Sequence, residues 1–190
     1  MLLELLRPFS YLTIRHRSMM PYWVNFFLPT VAAIAAVALV WLLDLRVDVF
    51  GANGLVSKMQ SFVQGLPGFY IAALAAIATF NNPDMDKAMP GESPTMFVTY
   101  NGSRTKVKVT RRRFLSVMFA YLTACSLMLT LISVAAVSLA DPLTSVLPKQ
   151  VFGTAKVLFC TAYLTCVAQL VFVTLWGLFY LGERIHTPDA

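Results

Sequence analysis

Trp23 to Leu43 reads "WVNFFLPTVAAIAAVALVWLL" and contains no charged residue. As a helix rising about 1.5 Å per residue, it crosses the roughly 30 Å hydrocarbon layer of a bilayer. Trp23 and Trp41 sit near its two ends, where amphipathic rings prefer the membrane–water interface. Pro29 in the first turns predicts a kink. A chain with such a segment has lipid as its main solvent, so spans are read before domains.

Composition carries the same signal through the whole chain. Only 13% of the 190 residues are charged and 58% are hydrophobic, against about 25% charged in soluble domains. Three further long apolar runs predict spans at about 62–80, 114–139 and 152–181, the last with Lys156 near its start and left out of the loop count, giving a transmembrane domain over 23–181. In the second run, Gly65, Pro67 and Gly68 are helix breakers, so regular helix is expected only after them. Asn81 to Asp84, "NNPD", ends that run. Asp141-Pro142 and Leu147-Pro148 predict the loop between spans three and four. The first run is too long for a signal-peptide core and is expected to stay in the mature protein.

Lys and Arg set the orientation. Arg7, Arg15 and Arg17 precede the first span, Lys87, Arg104, Lys106, Lys108, Arg111, Arg112 and Arg113 fill the insert at 81–113, and Arg184 lies in the tail at 182–190. The opposite loops hold only Arg46, Lys58 and Lys149. Both termini and the insert are therefore expected on the cytoplasmic side. The net charge of +6 is read as this loop bias and not as a nucleic-acid signal. Residues 1–22 place Leu2, Leu5, Leu6, Phe9 and Leu12 at near-helical spacing opposite Arg7, Arg15 and Arg17. That pattern predicts an interfacial amphipathic helix interrupted at Pro8, or an arm packing on a neighbouring subunit.

The spans lack the marks of transport or catalysis. No ionisable residue lies at mid-span depth, which is where proton and ion paths keep them. Asn25, Gln64, Thr130, Ser133, Gln169 and Thr174 are mild polar residues suited to hydrogen bonds between helices. The pairs Ala32/Ala36 and Ala72/Ala76 permit close helix packing, within the chain or between copies. Cys125, Cys160 and Cys166 are isolated in apolar runs and read as small core residues. No nucleophile elbow, zinc-protease, P-loop or dinucleotide motif occurs. His16 and His186 form no metal pattern, and Asp84 and Asp86 read as a helix-stop loop. No enzyme activity, metal or cofactor is expected.

One stretch is polar and strand-like. "MFVTYNGSRTKVKVTRRRF", Met96 to Phe114, holds Asn101-Gly102, the dipeptide that favours a type I′ hairpin turn. Beyond the turn, Lys106 and Lys108 alternate with Val107 and Val109, giving one basic and one apolar face. A lone hairpin is marginal in water, so the apolar face needs a cover. Phe97, Tyr100, Asn101, Gly102, Lys106, Val107, Lys108 and Val109 are the candidate contacts for a partner or a neighbouring subunit. Arg111, Arg112 and Arg113, with Arg15 and Arg17, are assigned to topology and anionic headgroups. Thr110 is placed to cap the third span. Direct nucleic-acid binding is not expected, since only Phe97 and Tyr100 offer stacking rings.

The fold class expected is an all-α integral membrane protein with four transmembrane helices and a small cytoplasmic β-hairpin between helices two and three. With "GLPGFYIAALAAIATFNNPDMDKAMPG" and "TRRRFLSVMFAYL", this architecture resembles the membrane subunit of the two-gene Kiwa anti-phage defence system (KwaA-like). The resemblance spans nearly the whole chain and supplies no catalytic signature. It implies a homo-oligomer, with a tetramer favoured, in the bacterial inner membrane. That oligomer would sense infection at the envelope and hold a soluble, KwaB-like DNA-binding partner on its cytoplasmic face. Two functions are thus in play. One is a non-enzymatic sensor or scaffold that recruits a soluble effector. The alternative is an oligomeric pore lined by the polar residues of spans two and four.

Overall fold

The computed structural model of the chain describes residues 6–14, 19–79, 82–89, 94–100, 103–146 and 148–184. Among them are four helices long and apolar enough to cross a membrane: α1 (Met20–Leu42), α2 (Leu55–Thr79), α3 (Arg111–Val146) and α4 (Lys149–Gly182). A two-stranded antiparallel sheet, β1 (Thr95–Tyr100) and β2 (Ser103–Lys108), lies between α2 and α3. Among the described residues the chain is thus mostly helical, with four helices of membrane-spanning length and apolarity and a small two-stranded sheet, as the sequence predicts.

Prolines and glycines shape the helices differently from the simple breaker rule. In α1, Trp23–Phe27 is a π-helical turn ahead of Pro29. Widening that turn accommodates a ring that clashes with the carbonyl four residues back. The helix ends in a Schellman motif. The Leu45 N–H donates to the Val40 carbonyl at 3.0 Å and the Asp44 N–H to Trp41 at 3.3 Å, with Asp44 in the left-handed region at φ 46°.

α2 begins earlier than expected. A first segment, Leu55–Val63, precedes the Gly65 break, and a second runs Leu66–Thr79. Pro67 sits in the first turn of the second segment, where its missing N–H has no intrahelical partner to lose. α3 likewise overruns its expected end and continues through Pro142 to Val146. There, Thr144 Oγ1 donates to the Asp141 carbonyl and Ser145 Oγ to the Pro142 carbonyl, each at 2.7 Å.

The chain divides into two compact units. The first comprises Met1–Pro21, Gly68–Ala124 and Thr174–Ala190. Its core is aromatic. Phe114 meets Trp176 and Tyr180, each with ring centroids 5.6 Å apart. Tyr70 packs on Phe119 and shares a 2.6 Å hydrogen bond with Thr174 Oγ1. The N-terminal stretch Arg7–Thr13 closes this core as a 3-10 helix with Pro8 in its first turn. Tyr11 is buried and stacks on Tyr121 at 5.1 Å, and Phe9 meets the same ring edge-on. The described part of the expected interfacial helix is therefore a tighter turn packed on its own chain.

The second unit comprises Tyr22–Pro67 and Cys125–Val173. Ser133 and Tyr163 share a buried 2.7 Å hydrogen bond, and Phe159 stacks on Tyr163. Phe50, from the loop after α1, packs between Phe152 and Phe159. Asn25, Pro29 and Ala33 are the buried positions of α1. Ala32 and Ala36 are exposed, as are Ala72 and Ala76 of the first unit. Neither small-residue pair packs inside the chain, so both are open to lipid or to another copy.

Candidate docking surface

The insert between α2 and α3 is built from its two ends inward. At the start, Asn82 Oδ1 accepts the Asp84 N–H at 2.9 Å and caps the short 3-10 turn Pro83–Met85. At the far end, Thr110 caps α3, its Oγ1 accepting the Arg113 N–H at 3.3 Å, as the sequence anticipates. Backbone hydrogen bonds join the ends. Met89 N–H donates to the Val109 carbonyl and Arg111 N–H to Lys87, with an antiparallel bridge pairing Ala88 and Thr110. Val109 N–H in turn donates to the Pro94 carbonyl at 2.9 Å. Val109 therefore lies in a seam between two other backbone segments of the same chain, around Met89 and Pro94, and is fully buried at 0% exposure. It belongs to the core of the insert, and this corrects its assignment as a partner contact.

The hairpin register is Thr95 to Lys108, Met96 to Val107 and Phe97 to Lys106, continuing to Tyr100 with Ser103. Directly opposed residues share a face. Met96 is 5% exposed on the covered face, and its partner Val107 lies at the edge at 38%. The other face is open: Phe97 is 53% exposed and Lys106 and Lys108 are exposed beside it. Among the described side chains, Met96 is turned inward while Val107 stays partly exposed, and the open face carries Lys106, Lys108 and the Phe97 ring. Asn101 and Gly102, the expected turn, lie outside the described residues, as do Arg15 and Arg17.

The three arginines do not act alike. Arg111 is 2% exposed and lies inside the fold, which corrects its assignment to lipid headgroups. Arg112 grips Asp86 with two hydrogen bonds, Nε to Oδ1 at 2.8 Å and Nη2 to Oδ2 at 3.2 Å. Its Nη1 also donates to the Ile77 carbonyl at 2.6 Å. That carbonyl belongs to the last turn of α2, where carbonyls lack intrahelical partners and a cation is favoured. Arg113 is half-buried. The Arg112 hydrogen bond, then its charge, holds the Asp86 carboxyl below the ordinary aspartate value. Lys87, 2.7 Å from Asp84, lowers that carboxyl in the same way.

Sequence reasoning took Asp84 and Asp86 only as a helix stop and so missed this clamp. A usable signal was present: two aspartates just after a span and an arginine run just before the next. Among the described residues no group of three or more His, Cys, Asp or Glu comes together. Comparison with protein-family models, curated proteins and solved structures finds no match for this chain.

Proposed function

We propose that this protein is a non-enzymatic scaffold or sensor of the bacterial inner membrane that oligomerises and recruits a soluble cytoplasmic effector, in antiviral defence. The observation that carries the reading is the open hairpin face of Phe97, Lys106 and Lys108, anchored at its base by the Val109 seam and the Arg112–Asp86 pair. A topology signal needs only charge, whereas this surface has order, a fixed register and an exposed aromatic anchor of the kind that dominates protein interfaces. Its basic character suits an acidic patch on the partner.

The Lys and Arg bias places the hairpin and both termini on the cytoplasmic side in this reading. The outward-facing pairs Ala32/Ala36 and Ala72/Ala76 are the proposed contacts between copies, with a tetramer favoured by the resemblance to Kiwa. The test is co-purification, from detergent, of the soluble protein encoded beside this gene. A triple variant with Phe97→Ser, Lys106→Glu and Lys108→Glu loses that protein and still inserts. Undiminished co-purification refutes recruitment through the hairpin.

A further inference from the structure

The second unit contains a cavity of about 360 Å³, within the roughly 300–1,000 Å³ typical of small-molecule sites. It exists because alanines stand where larger side chains would fill the space: Ala135 and Ala136 on α3, and Ala155 on α4. Leu139 and Phe159 add apolar wall. Ala135, Leu139 and Ala155 are exposed, so the cavity opens to the surroundings of the chain. Lys156 is the one charged residue in the lining. It forms no ion pair with a carboxylate among the described residues.

The position of Lys156 along the sequence fixes what the cavity meets. α4 is uncharged from Val157 to Gly182, and α3 from Phe114 to Ala140. Each run is about 39–40 Å long as helix, enough to cross the hydrocarbon layer. Lys156 and Asp141 flank these runs at the same turn-around of the chain. The cavity lining, from Ile132 to Leu143 and from Phe152 to Phe159, therefore straddles the step from acyl chain to headgroup.

The geometry points to a site for an anionic phospholipid, with one acyl chain in the alanine-lined cavity and the phosphate beside the Lys156 ammonium. A soluble anion has no use for the apolar wall, and a purely apolar ligand leaves the ammonium unanswered. A zwitterionic headgroup brings its own cation next to Lys156 and gains less. This inference rests on the membrane reading above and is independent of partner recruitment.

Native mass spectrometry of the full-length protein, titrated with phosphatidylglycerol and phosphatidylcholine of identical acyl chains, tests it. Wild type retains phosphatidylglycerol about fivefold better, the effect of one basic residue at a lipid surface. Lys156→Gln brings the two lipids to parity, and Ala136→Phe, which fills the cavity, lowers retention of both. Should Ala136→Phe fail to fold by circular dichroism, Lys156→Gln decides alone. Equal retention by wild type, or an unchanged preference in Lys156→Gln, overturns the site. Alkaline carbonate extraction separates the two failures. A protein washed from the membrane refutes the membrane reading itself, and one that stays without lipid preference refutes only the site.

Discussion

Arg112 and Asp86, 26 residues apart in sequence, hold the base of the insert through a two-point ion pair. The same guanidinium reaches the Ile77 carbonyl, so one side chain ties the end of α2, the loop after it and the start of α3. A lysine keeps the charge but cannot make the paired contact. Arg112→Lys is expected to loosen the insert almost as much as Arg112→Gln. Limited proteolysis within the insert is the readout, and wild-type resistance in the lysine variant counts against the fork geometry.

The two carboxylates set a pH window. Asp84 and Asp86 titrate below the ordinary value of 3.8 in the folded chain. Groups with a depressed folded value stabilise above their unfolded pKa and lose that contribution as pH falls through the folded one. Protection of insert amides should stay flat from pH 8 to about 5 and fall only below about pH 4. Hydrogen exchange across that range checks this, and a midpoint near neutrality contradicts it.

Ser133 Oγ donates to the Leu129 carbonyl at 2.7 Å, so Tyr163 is the donor in its bond to Ser133. Tyr163→Phe removes that donor and leaves the serine proton satisfied. The expected cost is about 0.6 kcal/mol, the mean for hydrogen bonds between membrane helices. A double-mutant cycle with Ser133→Ala, measured by reversible unfolding in detergent, should recover a coupling of that size.

Gly54 and Gly68 should respond in opposite ways to alanine. A Cβ on Gly54 falls 2.8 Å from the Val49 carbonyl oxygen and 2.9 Å from Gly51 backbone atoms, none of which moves freely. A cost of roughly 1–3 kcal/mol is expected. A Cβ on Gly68 meets nothing within 4 Å, and alanine there gains about 0.5–1 kcal/mol of helix stability. Thermal unfolding of the two variants side by side checks the signs.

Much of the fold was legible because long, apolar, charge-poor runs are a strong signal: those at Trp23, Phe114 and Phe152 each became a helix. The hairpin was legible from its alternation, and Thr110 from its capping chemistry. What escaped was long-range. Nothing local to Val109 marks it as the middle of a seam, since that depends on Lys87 to Met89 and Pro94 arriving beside it. Arg111 and Arg112 are chemically identical neighbours, yet helix geometry turns one inward and one onto Asp86. Pro142 and Pro67 misled because proline stops a helix only where its neighbours cannot absorb the missing N–H.

Only Val109 and Thr110 lie between β2 and α3. The first is locked on both sides by backbone bonds, and the second is already the cap of the helix. The hairpin is therefore a lever with no slack at its pivot. A contact made at Phe97 and Lys106 would thus reach α3 through a junction that holds no flexible linker.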